Sequence, residues 1–369
     1  MQYKRMPIEV ESPEQLGYNT IECNLAESSV HDAVFKDLNL NLNDLILCYG
    51  DHLGKPELRE LIASEYPGIT SQDVLLTAGA ASALFITATS LLSSKEHMIV
   101  VRPNYATNIE TPRAIGCEID FIDLDFSTEF QLDITKIQAL IKPNTKYISI
   151  TTPHNPTGTV IPEKTLKALV ELAESGNCYL LVDETYRDLT PENQLPLAAT
   201  LSSKVISVSS VSKAYGLPGI RIGWLITTNK QLQELFLAAK EQIFLCNSVV
   251  DEEIAHLFLM KKGRFLPEIQ QKLRKNREIV QNWMKSNPYM EWIEPSGGVV
   301  CFPRIKEEVK IDLEKFYSTL YHKHKTLVGP GHWFEMDKRY MRIGYGWPTA
   351  ESLTRGLANI SNALKETAG

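Results

Sequence analysis

The chain has 369 residues, 43% of them apolar and 22% charged, with a net charge of −7. This is the composition of an ordinary globular protein, long enough for about two domains. The acidic balance argues against a nucleic-acid footprint, and the apolar runs are far too short to span a membrane, so neither partner is expected.

In chain order, residues 1–45 show weak periodicity and no apolar signal core. Beyond them, short apolar runs at 74–76, 98–101, 147–150, 179–182, 205–208 and 222–226 read as buried strands. Helical patterns lie between them. Over 163–174, for example, apolar residues at 166, 169, 170 and 173 share one face. This alternation predicts an α/β fold, with a mostly parallel sheet and helices on both faces. Residues 265–284 read as a long charged helix. An apolar run at 298–302, a helix from about Leu313 and a short strand at 340–343 follow. We therefore expect a large domain over 46–275. A smaller α+β domain is expected from the N-terminal arm (1–45) and the C-terminal segment (276–369). Cys23, Cys48, Cys117, Cys178, Cys246 and Cys301 stand at wide, irregular gaps without a CxxC pair. Free thiols in a reducing, cytoplasmic setting are expected, and no metal site.

Four stretches carry chemistry. In SVSSVSKAYGLPGIRIGW (207–224) a buried strand ends in hydroxyls, followed by Lys213, a Gly-rich turn and Arg221. A lysine desolvated at a strand end loses basicity, which suits a Schiff-base nucleophile and general base. Ser209, Ser210, Ser212 and Arg221 together suit a phosphate dianion. In LLVDETY (180–186) Asp183 ends a strand where open α/β sheets bind ligands. Its carboxylate suits a cationic ring nitrogen and Tyr186 a phenolate oxygen; helix capping is the structural alternative for Asp183. In TPHNPTG (152–158) Asn155 lies between two prolines that stiffen the turn. In TAGAASALF (77–85) small residues open a helix after a strand, leaving backbone N–H groups for an anion. Each feature alone is ordinary: most lysines are solvated, and Ala-rich helix starts often only pack closely.

Together the segments YGDHLGKPELR, LLTAGAASALF, RPNY, PHNPTG, VDETY, SVSKAYGLPGIRIGW, PSGG, VGPGHWF and YMRIGYG, in this order, resemble the aspartate aminotransferase superfamily. These are fold type I pyridoxal-phosphate enzymes, and the resemblance covers about residues 20–365. It implies a large domain of the seven-stranded type, pyridoxal 5′-phosphate as cofactor, and amino-acid and 2-oxo-acid substrates. It also implies a homodimer with shared active sites. By position, Lys213 would be the Schiff-base lysine and proton shuttle. Asp183 would pair with the pyridine nitrogen, Asn155 and Tyr186 with the 3-oxygen, and Tyr105 would stack on the ring. Gly79, Ala80, Ala81, Ser210, Ser212 and Arg221 would hold the phosphate, with Tyr49 reaching the neighbouring subunit's phosphate. Arg342 would clamp the substrate α-carboxylate. Read alone, Arg342 is an ordinary surface arginine and Tyr105 a packed core tyrosine.

Three departures bear on specificity. Asn108 stands where the family's second tyrosine falls, so a more polar pocket wall is expected. Residues 244–248 (FLCNS) lack the arginine of dicarboxylate-specific members. NLAESSV (24–30) puts Glu27 in a pocket-lining segment that is normally uncharged, where it would suit a cationic substrate side chain. NLAESSV, VGPGHWF and RIGYGWP also resemble the capreomycidine-synthase-like branch, so a lyase or cyclase acting on an arginine-like amino acid stands beside transamination. A regulator's effector domain would carry a basic DNA-binding domain ahead of the fold. A nicotinamide enzyme would show GxGxxG after an early strand. Neither pattern is found.

Overall fold

The computed structural model describes residues 1–190, 192 and 194–368. Seven strands make the central sheet: β1 (Val74–Thr77), β2 (His97–Arg102), β3 (Glu118–Asp123), β4 (Thr145–Thr151), β5 (Tyr179–Asp183), β6 (Val205–Ser210) and β7 (Gly223–Ile226). Across the sheet they run β1-β7-β6-β5-β4-β2-β3. β3, β2, β4, β5 and β6 pair in parallel, and β7 is antiparallel to both its neighbours.

Six strands coincide with the apolar runs of the sequence. β3 is an addition. Its residues EIDFID mix charge with apolar groups because it is an edge strand, with Glu118 and Asp123 exposed. Edge strands escape the two-sided burial that makes central strands continuously apolar. In β5 that two-sided burial is visible residue by residue. Leu180 and Val182 join the core that contains Leu166 and Leu169 of the helix Glu163–Ser175, whereas Leu181 joins the core under the helix Gly79–Leu91. Each such fully buried side chain contributes roughly 1.5–3 kcal/mol.

The long helix, Lys262–Ser286, leads into the C-terminal part. There Met341–Gly344 pairs antiparallel with both Val300–Cys301 and Gly329–Pro330. The helix Ala350–Thr367 buries Leu353, Leu357, Ile360 and Leu364 on one face. The N-terminal arm packs against this part: Cys23–Asn24 pairs in parallel with Thr326–Leu327. Leu25 continues the contact, its N–H donating to the Leu327 carbonyl and its own carbonyl accepting from Gly344 N–H. Residues far apart in sequence thus meet above the strand ends of the large sheet.

Candidate active site

Parallel strands in register end together. Thr151 pairs with Asp183, and Asp183 with Val208, so the last residues of β4 and β5 and the end of β6 stand side by side. Beyond them opens a cavity of about 210 Å³. Of the residues singled out in the sequence, Glu27, Ala80, Ala81, Tyr105, Asn155, Asp183, Tyr186, Ser210, Ser212, Lys213, Arg221 and Arg342 line it. Gly79 stands directly behind Arg221. Its φ is +76°, and a Cβ there would collide with the Arg221 guanidinium, so a larger residue would push the arginine away. Tyr49 is outside the cavity and 82% exposed.

Lys213 sits on the short helix Val211–Ala214, whose N-cap is Ser210: its Oγ accepts from Ser212 N–H at 3.3 Å. Arg221 holds a left-handed conformation (φ +47°) that turns its side chain back, and its Nη1 reaches Ser212 Oγ at 3.4 Å and the Pro218 carbonyl at 2.8 Å. Two hydroxyls, a guanidinium and the N-terminus of the helix Gly79–Leu91 therefore converge, a donor set for a phosphate. The Lys213 side chain makes no hydrogen bond or ion pair among the described residues. Burial pushes its pKa below the usual amine range; Glu27 opposes this, while Arg342 and Arg221 add to it. Its backbone carbonyl accepts from Val30 N–H at 3.0 Å, tying the N-terminal arm to the lysine loop.

Opposite stands Asp183. Its Oδ1 accepts from Thr185 N–H (3.1 Å) and Thr185 Oγ1 (2.6 Å), and Oδ2 accepts no hydrogen bond among the described residues. Burial raises its pKa, which the Thr185 bonds and Lys213 counter. Tyr186 donates its hydroxyl to the Ser28 carbonyl at 2.9 Å, and burial pushes its pKa up to about 12, so it is a phenol donor at neutral pH. Arg342 is only 4% exposed. Its Nη1 donates to Asn155 Oδ1 (3.1 Å) and Nη2 to the Ala26 carbonyl (2.7 Å), while Nε has no partner. The guanidinium lies 5.0 Å from the Phe334 ring centroid. Burial lowers its pKa, and Tyr186 and Glu27 support the charge. A buried cation with an unmet donor beside an unpaired lysine is an arrangement awaiting an anionic group.

Some expectations change. Asn108 does not wall the cavity. It is buried behind it, donating to Asn104 Oδ1 (3.1 Å) and accepting from Ser149 Oγ (3.3 Å). Other lining residues escaped the sequence reading. Thr185 anchors Asp183, and its only signal was adjacency in VDETY. Glu9, Ser12 and Glu14 arrive from the N-terminal arm, where no periodicity marked them. The arm is pinned by Glu11, whose Oε2 accepts from His332 Nε2 (2.8 Å) and Trp333 Nε1 (2.6 Å). His154 also emerges as a positioning residue. Its Nε2–H donates to the Pro103 carbonyl (2.9 Å), and Nδ1 bonds Thr157 Oγ1 (2.8 Å), joining the segment of Asn155 to that of Tyr105.

An open sheet that gathers an unpaired lysine, a carboxylate and a phosphate-type cradle at its strand ends defines a class: a pyridoxal-phosphate enzyme of fold type I. The family model for aminotransferase class I and II matches residues 16–360, and the chain belongs to that family. Its cofactor is accordingly pyridoxal 5′-phosphate, and the donor set above fits that group. Among curated proteins the chain is similar to capreomycidine synthase of Streptomyces vinaceus, 28% identical over 94% of this chain and 91% of that one. Among solved structures it is similar to a PLP-dependent aminotransferase from Streptococcus suis 89-1591 (TM-score 0.92, 30% identity, 99% of each chain). It also resembles the PLP-dependent cyclase OrfR (TM-score 0.87, 25% identity, 99% of this chain and 98% of that one).

Proposed function

We propose that the protein is an aminotransferase that moves the amino group of an amino acid to a 2-oxo acid. The observation that carries this reading is the buried, unpaired Lys213 amine sharing one cavity with Asp183 and Arg342. When bound, the cofactor serves as the electron sink for bonds broken at the substrate Cα. Lys213 Nζ would anchor it covalently and, when free, would take the proton from the substrate Cα and deliver it to the cofactor's C4′. The lowered pKa of Lys213 makes its neutral, proton-accepting form available at lower pH than a free lysine's. Asp183 holds the proton on the ring nitrogen. Asn155 Nδ2 would donate to the 3-oxygen, Tyr186 would do so by turning its hydroxyl from the Ser28 carbonyl, and Tyr105 would cover the ring. Ala80 and Ala81 N–H groups, at a helix start that Gly79 keeps close to Arg221, bind the phosphate with Ser210, Ser212 and Arg221. Arg342 takes the substrate α-carboxylate, and Glu27 faces the side chain.

The functional unit in this reading is a homodimer in which Tyr49 reaches the partner's phosphate. Exposed Ile46 (76%), Leu47 (75%) and Tyr49 (82%) form an apolar run that supports such an interface. The division into an arm (1–45), a large domain (46–275) and a small domain (276–369) accompanies it, with the helix Lys262–Ser286 leading from one to the next. No helix of the described residues is long and apolar enough to cross a membrane. All six cysteines are free thiols, which supports a reducing, cytoplasmic setting.

The similarity to capreomycidine synthase and OrfR favours one second reading, a lyase or cyclase acting on an arginine-like amino acid. Absorbance spectra with a panel of amino acids, without any 2-oxo acid, separate the two. Stoichiometric release of a 2-oxo acid, with the cofactor left in its amino form, is the expected result. Continued turnover without an acceptor would establish the lyase or cyclase. Lys213→Ala should lose the covalent cofactor band and at least 10²–10⁴-fold in rate, on the order expected for a general acid–base. Retention of the band would overturn the assignment of Lys213.

A further inference from the structure

With the roles proposed above, on which the subsite described here depends, the charges around the cavity do not cancel. Among lining residues the cations are Lys213, Arg221 and Arg342. The first two serve the cofactor, as does Asp183, and the third takes the α-carboxylate. Glu9, Glu14 and Glu27 remain, with no cation to meet them among the lining residues. Glu27 Oε1 accepts only from neutral donors, Tyr18 Oη at 3.1 Å and Asn24 Nδ2 at 3.5 Å. The carboxylates of Glu9 and Glu14 make no hydrogen bond or ion pair among the described residues. Glu27 and Glu14 both act electrostatically on Lys213 and on the Tyr18 hydroxyl, whereas Glu9 acts on Tyr105. Glu14 and Glu27 line the same cavity as Lys213. A second, independent observation lies two residues before Glu14. Ser12 is 7% exposed and lines the same cavity, and its Oγ has no hydrogen-bond partner among the described residues. A buried hydroxyl left unsatisfied beside carboxylates fits a ligand that donates several N–H bonds.

We propose that Glu14 and Glu27 form a side-chain subsite for an amino acid with a cationic side chain, a guanidinium or an ammonium, and that the N-terminal arm delivers Glu14 to it. The arm is held in place for this by Glu11, anchored to His332 and Trp333. Asn24 and Tyr18 hold Glu27 through its Oε1. A cationic side chain gains charge-assisted hydrogen bonds to two carboxylates, and Ser12 Oγ accepts a further N–H. A neutral side chain leaves the carboxylates unmatched, and an acidic one is repelled. The subsite thereby selects substrates by charge, without contact between Glu14 or Glu27 and the bonds at Cα.

The test compares L-arginine with L-citrulline, which keeps the shape and loses the charge, on the dimeric holoenzyme. Binding is followed by the cofactor absorbance and turnover by kcat/KM, each at low and high salt. Arginine should be preferred by roughly ten- to a hundredfold. That preference should fall about tenfold in Glu14→Gln and in Glu27→Gln, mainly through KM, and shrink at high salt because Glu14 is exposed. A preference near one in the native protein, or one untouched in both variants, would overturn the subsite. A drop in Glu27→Gln alone would overturn the part assigned to the arm. If no amino acid of any kind changed the cofactor spectrum, the proposed function itself would fall, and a response to neutral and cationic amino acids alike would leave that function standing and remove only the subsite.

Discussion

The floor and the mouth of the cavity are built on opposite terms. At the floor, where β4, β5 and β6 end, polar groups are tied to neighbours: Asp183 to Thr185, Ser212 to Ser210 and Arg221, and Asn155 to Arg342. At the mouth, the arm presents Glu9 and Glu14 exposed and unpaired, and the segment of Glu27 is held by backbone bonds to the lysine loop. Preorganised dipoles and charges are what a constant chemical step needs, because they need not reorganise as charge develops. Unmatched charges near solvent cost little without a ligand and gain a modest, salt-screened attraction when one arrives. In the proposed reading the floor therefore serves the chemistry common to the family, and the mouth the choice of substrate.

Breaking the floor should have the largest effect. Asp183→Asn removes the charge that, in the proposed reading, holds a proton on the ring nitrogen, and should lower kcat by on the order of 10²–10³-fold. Stopped-flow rates of Cα deprotonation would check this, and a loss confined to cofactor affinity would count against an electrostatic role. Arg342→Lys tests the junction between floor and mouth. Lysine has no planar fork with which to keep Asn155 and the Ala26 carbonyl while binding a carboxylate, so kcat/KM should fall about 10–100-fold, largely through KM. The same loss for amines without a carboxylate would show that Arg342 acts on the fold instead.

A separate effect, on stability instead of rate, concerns the floor. Burial lowers the pKa of His154 from 6.5 to about 4. Between those values the unfolded chain binds the proton and the folded one does not, so stability rises with pH across this window. The contribution present above pH 6.5 is thus lost as pH falls toward 4, with a slope of at most about 1.4 kcal/mol per pH unit. Urea unfolding at stepped pH should show a flatter dependence in His154→Gln than in the native protein. Equal slopes would mean that His154 takes up its proton without cost.

The floor was legible because its residues lie within strand–turn segments. Lys213, Ser212 and Arg221 are carried by one stretch, and Asp183 and Tyr186 by another, so local spacing already implied their neighbourhood. Glu27 was legible only against a family pattern. Glu14 and Ser12 were not legible at all, since the short helices Pro7–Val10 and Pro13–Leu16 offer no period that marks an inward face. β3 was missed for a related reason: an edge strand exposes part of its surface and loses the apolar signature.

By itself, then, the sequence determined the alternation of strand and helix and the family to which the chain belongs, and it brought forward the lysine-centred chemistry proposed for the strand ends. These depend on burial period and on residues close in the chain. Only the tertiary structure decided which distant groups share the cavity: Arg342 with Asn155, the arm with His332 and Trp333, and three glutamates around one mouth. Such contacts span more than a hundred residues of chain or join an arm without periodicity to a folded domain. No local pattern encodes them, and they arise only when two packed bodies and the arm come together.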